Sequence, residues 1–408
     1  MVRFIHTADV QLGMRATDVP EVAERVREAR FDTLGRVMAL ATEEAVDFVL
    51  IAGDLFEDNQ VSAQTAYRAA GILADARPIP VYLLPGNHDP LTADSVYYRA
   101  AFGDKRPDNV VVLATPEAAV VSEECVLFPC PITQRQSTFD PTAGMQAGLS
   151  VGPGVVRIGV AHGSLAIEGR HSPDDHPIAP DAATRAGVDY LAVGHWHSRY
   201  IHDPRTAYPG SPEASAFGER DSGTVLLVTV KESGALPHIE ARPVGELQWL
   251  AWDVDLTSGS LALIEEQRRR AERLADRDKT LLRVVFRGAV AVDLIPALDD
   301  FEAWLHAQGL LYADVRREIA ATEVLLSKLG RLAEQDSVLA GALADLQALA
   351  DIGGQRAGPD SPLSAESLGI EELLALWNSA RGGEQIDRKT AVAEALVRLA
   401  QLAEEVAR

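Results

Sequence analysis

Five short runs of β-branched and other apolar residues each break off at side chains that can hold a proton or a metal ion. VRFIHT from Val2 leads to Asp9, DFVLIAG from Asp47 to Asp54, and PVYLLPG from Pro80 to Asn87 and His88. VVRIGVA from Val155 leads to His162, and VDYLAVG from Val188 to His195 and His197. Runs this short and apolar read as buried strands. Between the first three, Glu21 to Ala45 and Val61 to Ala76 carry apolar residues at helical spacing, with Ser62 placed as an N-cap and Pro78 as a stop. The alternation predicts an α/β layered fold. Ligands of such sheets collect beyond the carboxyl ends of the strands, so the polar tips are expected to converge.

The rest of the chain divides by pattern. Stretches 133–154 and 171–180, rich in Pro, Gly, Ser, Thr and Asp, read as surface loops, and TVLLVTVK from Thr224 as a strand that closes the core. From Leu247 the order is strand, helix (Leu261 to Asp276), strand (from Thr280), helix (Leu294 to Ala307), strand (from Leu310), which predicts a separate small α/β domain. Glu318 to Asp351 is Leu/Ala-rich and helical; a flexible stretch from Asp351 and helical segments at Ile370 to Ala380 and Lys389 to Val406 follow. The expected domains are 1–245, 246–317 and 318–408.

With 408 residues, 47% of them apolar, the chain has the composition of a globular protein. No apolar stretch reaches the ~18 residues of a membrane span, and the first residues lack the features of a signal peptide, so a cytoplasmic protein with no membrane partner is expected. Lys and Arg number 38 against 60 Asp and Glu, a net charge of −22 that repels polyanions unless cations are concentrated locally. Cys125 and Cys130 suggest no disulfide framework or zinc knuckle and are expected to be reduced and buried.

Collected in order, the tips are Asp9-Val10-Gln11, Gly53-Asp54, Gly86-Asn87-His88-Asp89, His162-Gly163 and Gly194-His195-Trp196-His197. Oxygen donors mixed with imidazoles suit a pair of borderline-hard divalent ions such as Mn²⁺ or Fe²⁺, whereas a structural zinc site would use cysteine. A shared carboxylate can hold two such ions at about 3.5–4 Å to clamp a phosphoryl group. Asp54 is the natural bridge.

This series resembles the signature of the calcineurin-like metallophosphoesterases: DxH, GD, GNH(D/E), a lone His and GHxH. TADVQLG, AGDLFEDN and PGNHD further resemble the corresponding segments of SbcD-type nuclease subunits, whose small α/β cap and helical tail match the later pattern. The resemblance implies a layered metallophosphoesterase β-sandwich flanked by helices, with a cap domain at 246–317 and a helical C-terminal tail. It implies one metal on Asp9, Asp54 and His197, and a second on Asp54, Asn87, His162 and His195, most readily Mn²⁺, with Fe²⁺ or Mg²⁺ as alternatives. His88 is then catalytic, oriented and made more basic by Asp89, and the nucleophile is hydroxide from metal-bound water. The implied activity is DNA cleavage through phosphate-backbone contacts without sequence specificity, beside an SbcC-like coiled-coil ATPase, with a homodimer as a family expectation.

Gln11 stands where the family has the histidine of DxH. A neutral amide is a poorer donor to transition metals than imidazole, so the first metal is expected to be weak, exchangeable or held through water. Two alternatives stay open: a phosphoesterase for a small molecule or phosphoprotein, and a metal-weakened, non-catalytic binding subunit.

The remaining polar features have plainer readings. His6 alternates onto the face of Ala8, away from Asp9, and reads as a packed structural histidine. His171 and His176 read as solvated loop residues. The run Arg268 to Arg273 reads as a salt-bridged solvated face, with Glu265 four before Arg269 and Glu266 four before Arg270, ahead of a DNA-contacting stripe. Leu396, Leu399, Leu402 and Val406 form an apolar stripe for docking to the ATPase partner or folding back on its own domain.

Overall fold

Alternation along the first strand sorts its side chains into two cores: Val2 and Phe4 point into one, Ile5 into the other. The computed structural model describes residues 1–146, 151–167, 172, 175–257, 261–289 and 294–320, with the isolated residues 341 and 395. The expected helical tail, its linker and the apolar stripe ending at Val406 therefore lie outside the described residues, as does His171. Internal contacts divide the chain into two units, Met1–Trp249 and Leu250–Arg408.

In the first unit the strands are β1 (Val2–Thr7), β2 (Phe48–Ala52), β3 (Val81–Leu84), β4 (Val110–Val112), β5 (Ala119–Ser122), β6 (Cys125–Pro129), β7 (Val156–His162), β8 (Tyr190–Gly194), β9 (Tyr200–Asp203), β10 (Thr206–Tyr208), β11 (Thr224–Val230) and β12 (His238–Pro243). Among the described residues they form two six-stranded sheets, ordered β12-β11-β1-β2-β3-β4 and β5-β6-β7-β8-β10-β9. β1, β2 and β3 run parallel to one another, as do β6, β7 and β8. The sheets bury a common core that includes Phe4, Phe48, Leu84, Leu127, Ile158 and Tyr190. Phe4 and Phe48 stack there with ring centroids 4.7 Å apart.

Helices cover the outer faces. α1 (Ala23–Glu43) and α2 (Ala63–Ala74) bury Leu34, Val37, Ala66 and Leu73 against Val49 and Ile51 of the first sheet. The expected cap forms: Ser62 Oγ accepts the N–H of Thr65 at 3.1 Å. The short helix α3 (Ala182–Ala186) packs on the second sheet beside Ala161 and Val193. The layered α/β sandwich read from the sequence is thus present. Strands β4, β5, β9, β10 and β12 lacked a local signal, because these are edge or short segments whose pairing only the assembled sheets supply, and the buried inner strand β6 was missed although its residues are apolar.

The second unit is entered through β13 (Gln248–Asp255) and continues as α4 (Leu261–Glu272), β14 (Thr280–Ala289), α5 (Ile295–His306) and β15 (Tyr312–Ala320). Its sheet is ordered β13-β14-β15, with β14 and β15 parallel. The charge pattern on α4 differs from the expected i, i+4 pairs. Glu265 pairs with Arg268 at 3.3 Å, the Arg268 guanidinium lies 5.1 Å from the Trp304 ring, and Arg270 lies over Trp252 at 4.0 Å. Aromatic faces from the unit's own core thus hold two of these arginines through cation–π contact. Among the described residues no helix is long and apolar enough to cross a membrane.

Candidate metal centre

Each sequence-predicted site residue lies at or just past the carboxyl end of a central parallel strand: Asp9 and Gln11 after β1, Asp54 after β2, Asn87 and His88 after β3, His162 at the end of β7, and His195 and His197 after β8. The chain turns sharply at these ends. Asp9 (φ 56°), Gln11 (φ 48°), Asp54 (φ 53°) and His195 (φ 111°) all have positive φ, a strained conformation for residues with a Cβ. Such strain persists only where the surroundings enforce it, and it concentrates at functional sites. Backbone bonds lock the turns: Asp9 N–H donates to the Gly53 carbonyl (3.1 Å) and Gln11 N–H to the Asp54 carbonyl (3.0 Å). Gly53 (φ 102°) and Gly86 allow the close approach; a Cβ on Gly86 would stand 2.1 Å from Asp54 Oδ1.

The donor atoms meet in the middle. One oxygen or nitrogen each from Asp9, Asp54 and His162, all buried, lie within 4.8 Å of one another. His162 Nε2 is 3.3 Å from Asp54 Oδ2 and 2.8 Å from Asn87 Oδ1, and His195 Nδ1 is 2.9 Å from the same Asn87 oxygen. The outer nitrogens are fixed by acceptors: His162 Nδ1 donates to the Ala52 carbonyl (2.9 Å) and His195 Nε2 to Asp175 Oδ2 (2.8 Å). With those protons placed outward, the inner nitrogens turn lone pairs toward a carboxylate and an amide oxygen. These four groups can all accept, so they require positive charge between them, a proton on His162 in the metal-free chain or a metal ion, which is the arrangement of a metal-ligating set with its outer hydrogen bonds in place.

Electrostatics agree with this geometry. Burial works to raise the Asp54 carboxyl, yet the charge and hydrogen bond of His162 hold it below the usual carboxylate range. Burial likewise opposes charge on His162, but Asp54 and Asp9 outweigh it and carry the imidazole up to about 9. Asp9 is pushed up by burial and by the nearby Asp54 charge, although His162 and His197 oppose the rise. Both Asp9 oxygens accept the backbone N–H of His195, at 3.1 and 2.9 Å. His197 Nδ1 bonds Ser215 Oγ (2.9 Å) and Glu219 Oε1 (3.1 Å); burial lowers its proton affinity, but Glu219 and Asp9 raise it by more.

His88 sits beside this cluster, its N–H donating to Asp54 Oδ1 (2.9 Å) and its Nδ1 to the Glu57 carbonyl (2.9 Å). Here the structure corrects the expected role of Asp89. Its Oδ1 accepts Gly86 N–H (2.8 Å), while its Oδ2 accepts Phe56 N–H (3.0 Å) and Tyr97 O–H (2.5 Å). Its carboxylate therefore ties the loop together, and the acceptor on the His88 ring is the Glu57 carbonyl. Burial and the charge of Asp54 raise Asp89 to about 6. His176 also departs from its solvated reading: it is buried at 4% exposure, with Nε2 3.2 Å from the Arg135 carbonyl. His6 is fully buried on Tyr190 Oη (2.9 Å), and both cysteines are free and buried.

Sequence reasoning missed Asp175, Ser215, Glu219 and Arg30. Asp175 lies in a stretch legible only as loop, where it also accepts from Ser164 Oγ (2.9 Å), itself held by Trp196 Nε1 (2.9 Å). Neither Asp175 nor Glu219 belongs to a local motif, so no sequence signal marks them.

Residues 2–199 match the family of calcineurin-like phosphoesterases. An uncharacterized metallophosphoesterase, YhaO, of Bacillus subtilis (strain 168) is 26% identical over 327 residues, covering 75% of this chain and 77% of that one. The DNA double-strand break repair protein Mre11 of Methanopyrus kandleri is 27% identical over 237 residues, 53% of this chain, which spans 50% of that relative's length. The D subunit of the nuclease SbcCD of B. subtilis (strain 168) is 24% identical over 295 residues, 63% of this chain and 70% of that one.

Proposed function

We propose, from the premise that residues 2–199 are a calcineurin-like phosphoesterase domain, that this chain is a two-metal phosphodiesterase that cleaves DNA as the nuclease subunit of an SbcCD-like repair complex. The observation that carries the metal reading is the inward set of His162 Nε2, His195 Nδ1, Asn87 Oδ1 and Asp54 Oδ2, whose outer partners leave it short of positive charge. One divalent ion would be held by Asp54, Asn87, His162 and His195, and another by Asp9, Asp54 and His197, where they supply Lewis-acid polarisation of a phosphoryl group and activation of water.

The chain's own residues do the rest. Asp9 and Asp54 hold backbone N–H groups of His195 and His88, so each carboxylate also sets the position of the next motif. The Glu57 carbonyl fixes Nδ1–H of His88 and leaves Nε2 for the phosphate, where as imidazolium it donates to a phosphoryl oxygen or protonates the leaving oxygen. DNA as substrate and an ATPase as partner are supported by the likeness to the SbcCD nuclease subunit and to Mre11, and Mn²⁺ as the ion by the mixture of oxygen and imidazole donors. With a net charge of −22, most of the affinity for DNA would come from that partner.

A second reading, phosphoesterase action on a substrate other than DNA, is favoured by the same acidic balance. The deciding experiment measures Mn²⁺-dependent cleavage of linear duplex and single-stranded DNA by the wild type and His88→Ala. Cleavage by the wild type, reduced about 10²–10⁴-fold in the variant with Mn²⁺ binding retained, is the expected result. Hydrolysis of a small phosphodiester with none of DNA would establish the second reading. Absence of both hydrolysis and tight Mn²⁺ binding would leave a non-catalytic subunit.

A further inference from the structure

The two halves of the strand-end cluster differ in charge. The half built from Asp54, Asn87, His162 and His195 gathers acceptors and imidazoles alone. Beside the other half, with Asp9 and His197, stands a guanidinium. Arg30 lies on the buried stripe of α1 with Val26, Thr33, Leu34 and Val37, a position where an apolar residue would pack without the cost of desolvating a charge. It is 1% exposed and donates from Nη1 to the carbonyl of Val10 (2.6 Å), the residue between Asp9 and Gln11.

The other guanidinium donors are not used. Nε and Nη2 are buried with no hydrogen-bond partner among the described residues. A buried cation survives such treatment only with opposite charge close by. Glu219, Glu213, Glu57 and Asp9 supply it, in that order of strength, and His197 feels the same positive field. Arginine cannot shed its proton to relieve the position, as a buried lysine would. The charge beside Asp9 is therefore permanent.

We propose that Arg30 is a fixed charge standing in for part of the cation on the Asp9 and His197 half, so that this chain keeps one divalent ion resident and holds the second weakly and exchangeably. The resident ion sits on Asp54, Asn87, His162 and His195; the exchangeable one sits on Asp9, Asp54 and His197. The inference rests on the two-metal reading above and deepens it: the free divalent concentration then governs how many chains carry both ions. Coulomb repulsion from a buried guanidinium acts through a low effective dielectric and on both charges of the ion. Gln11 works in the same direction, adding a neutral amide instead of a stronger donor.

The test is calorimetric titration of the metal-stripped full chain with Mn²⁺, with free Mn²⁺ followed in parallel by electron paramagnetic resonance. Two classes of one ion each are expected, with Kd values at least ~10-fold apart. Arg30→Gln should tighten the weak class by at least about tenfold and leave the tight class in place. His197→Ala should remove the weak class alone. Two ions bound with equal affinity by the wild type overturn the proposal whether or not Arg30→Gln folds. A folded Arg30→Gln, checked by circular dichroism, whose weak class does not move overturns it too. Absence of any divalent binding strikes instead at the metal-dependent reading beneath it.

Discussion

His162 and His195 meet edge to face, ring centroids 5.3 Å apart at 82°, with one nitrogen of each on the same Asn87 oxygen. Two rings in that relation form a corner whose walls come from β7 and the end of β8. The corner survives only if the outer nitrogens are pinned, by the Ala52 carbonyl on one side and Asp175 on the other.

Asp175→Ala removes one of these pins. Outer-sphere partners of ligating histidines are typically worth about 10–100-fold in metal affinity, and a loss of that size in Mn²⁺ affinity is expected with little change in melting temperature. Titration calorimetry beside a thermal melt reads both quantities. Unchanged affinity would show that packing alone orients His195.

Close approach of the loops makes Gly86 a sensitive position. A Cβ there would fall 2.1 Å from Asp54 Oδ1 and 2.6 Å from the Asp54 nitrogen, and the second contact is backbone, which cannot rotate away. Gly86→Ala should therefore destabilise the chain by more than about 2 kcal/mol and abolish Mn²⁺ binding. Gly144→Ala, whose Cβ meets nothing within 4 Å, is the control and should stay within about 0.5 kcal/mol. Urea unfolding of the two variants would expose an error if they proved alike.

Burial pushes the thiols of Cys125 and Cys130 up to about 12. The thiolate is the reactive form, so neither should react with a disulfide reagent in the folded chain at pH 8, while both should react in denaturant. Rapid labelling of the native protein would contradict the packing described.

His6 is buried neutral, its proton affinity pushed down to about 3 from 6.5 by burial. Below pH 6.5 the unfolded chain takes up a proton that the folded chain refuses, so this residue's contribution is full above 6.5 and is lost progressively as pH falls toward 3. The urea midpoint of the wild type should therefore drop between pH 7 and pH 5, and His6→Gln should drop less. Equal slopes for the two proteins would mean that other groups set the acid sensitivity.

The strand tips and most of what they carry were legible before any fold was known. Asp9, Asp54, Asn87, His88, His162, His195 and His197 each follow a run whose apolarity specifies a buried strand, and a strand's end and a side chain's chemistry are both local properties. The α/β layering followed from the alternation of strand-like runs with helical spacing, as did α1, α2 and the Ser62 cap, while the two-sheet sandwich came with the family resemblance. What stands behind those residues was fixed in three dimensions. Asp175 reaches His195 across 20 residues and Glu219 reaches His197 across 22, along loops with no period to read. Asp89, adjacent to His88 in sequence, is turned by its loop onto Phe56 and Tyr97 instead. Helical spacing alone does not single out Arg30; the packing of α1 against the first sheet puts it against the Val10 carbonyl. Hydrogen-bond partners and the cost of burying a charge depend on which surfaces the fold brings together, and that is settled only when the two sheets and their helices close on one another.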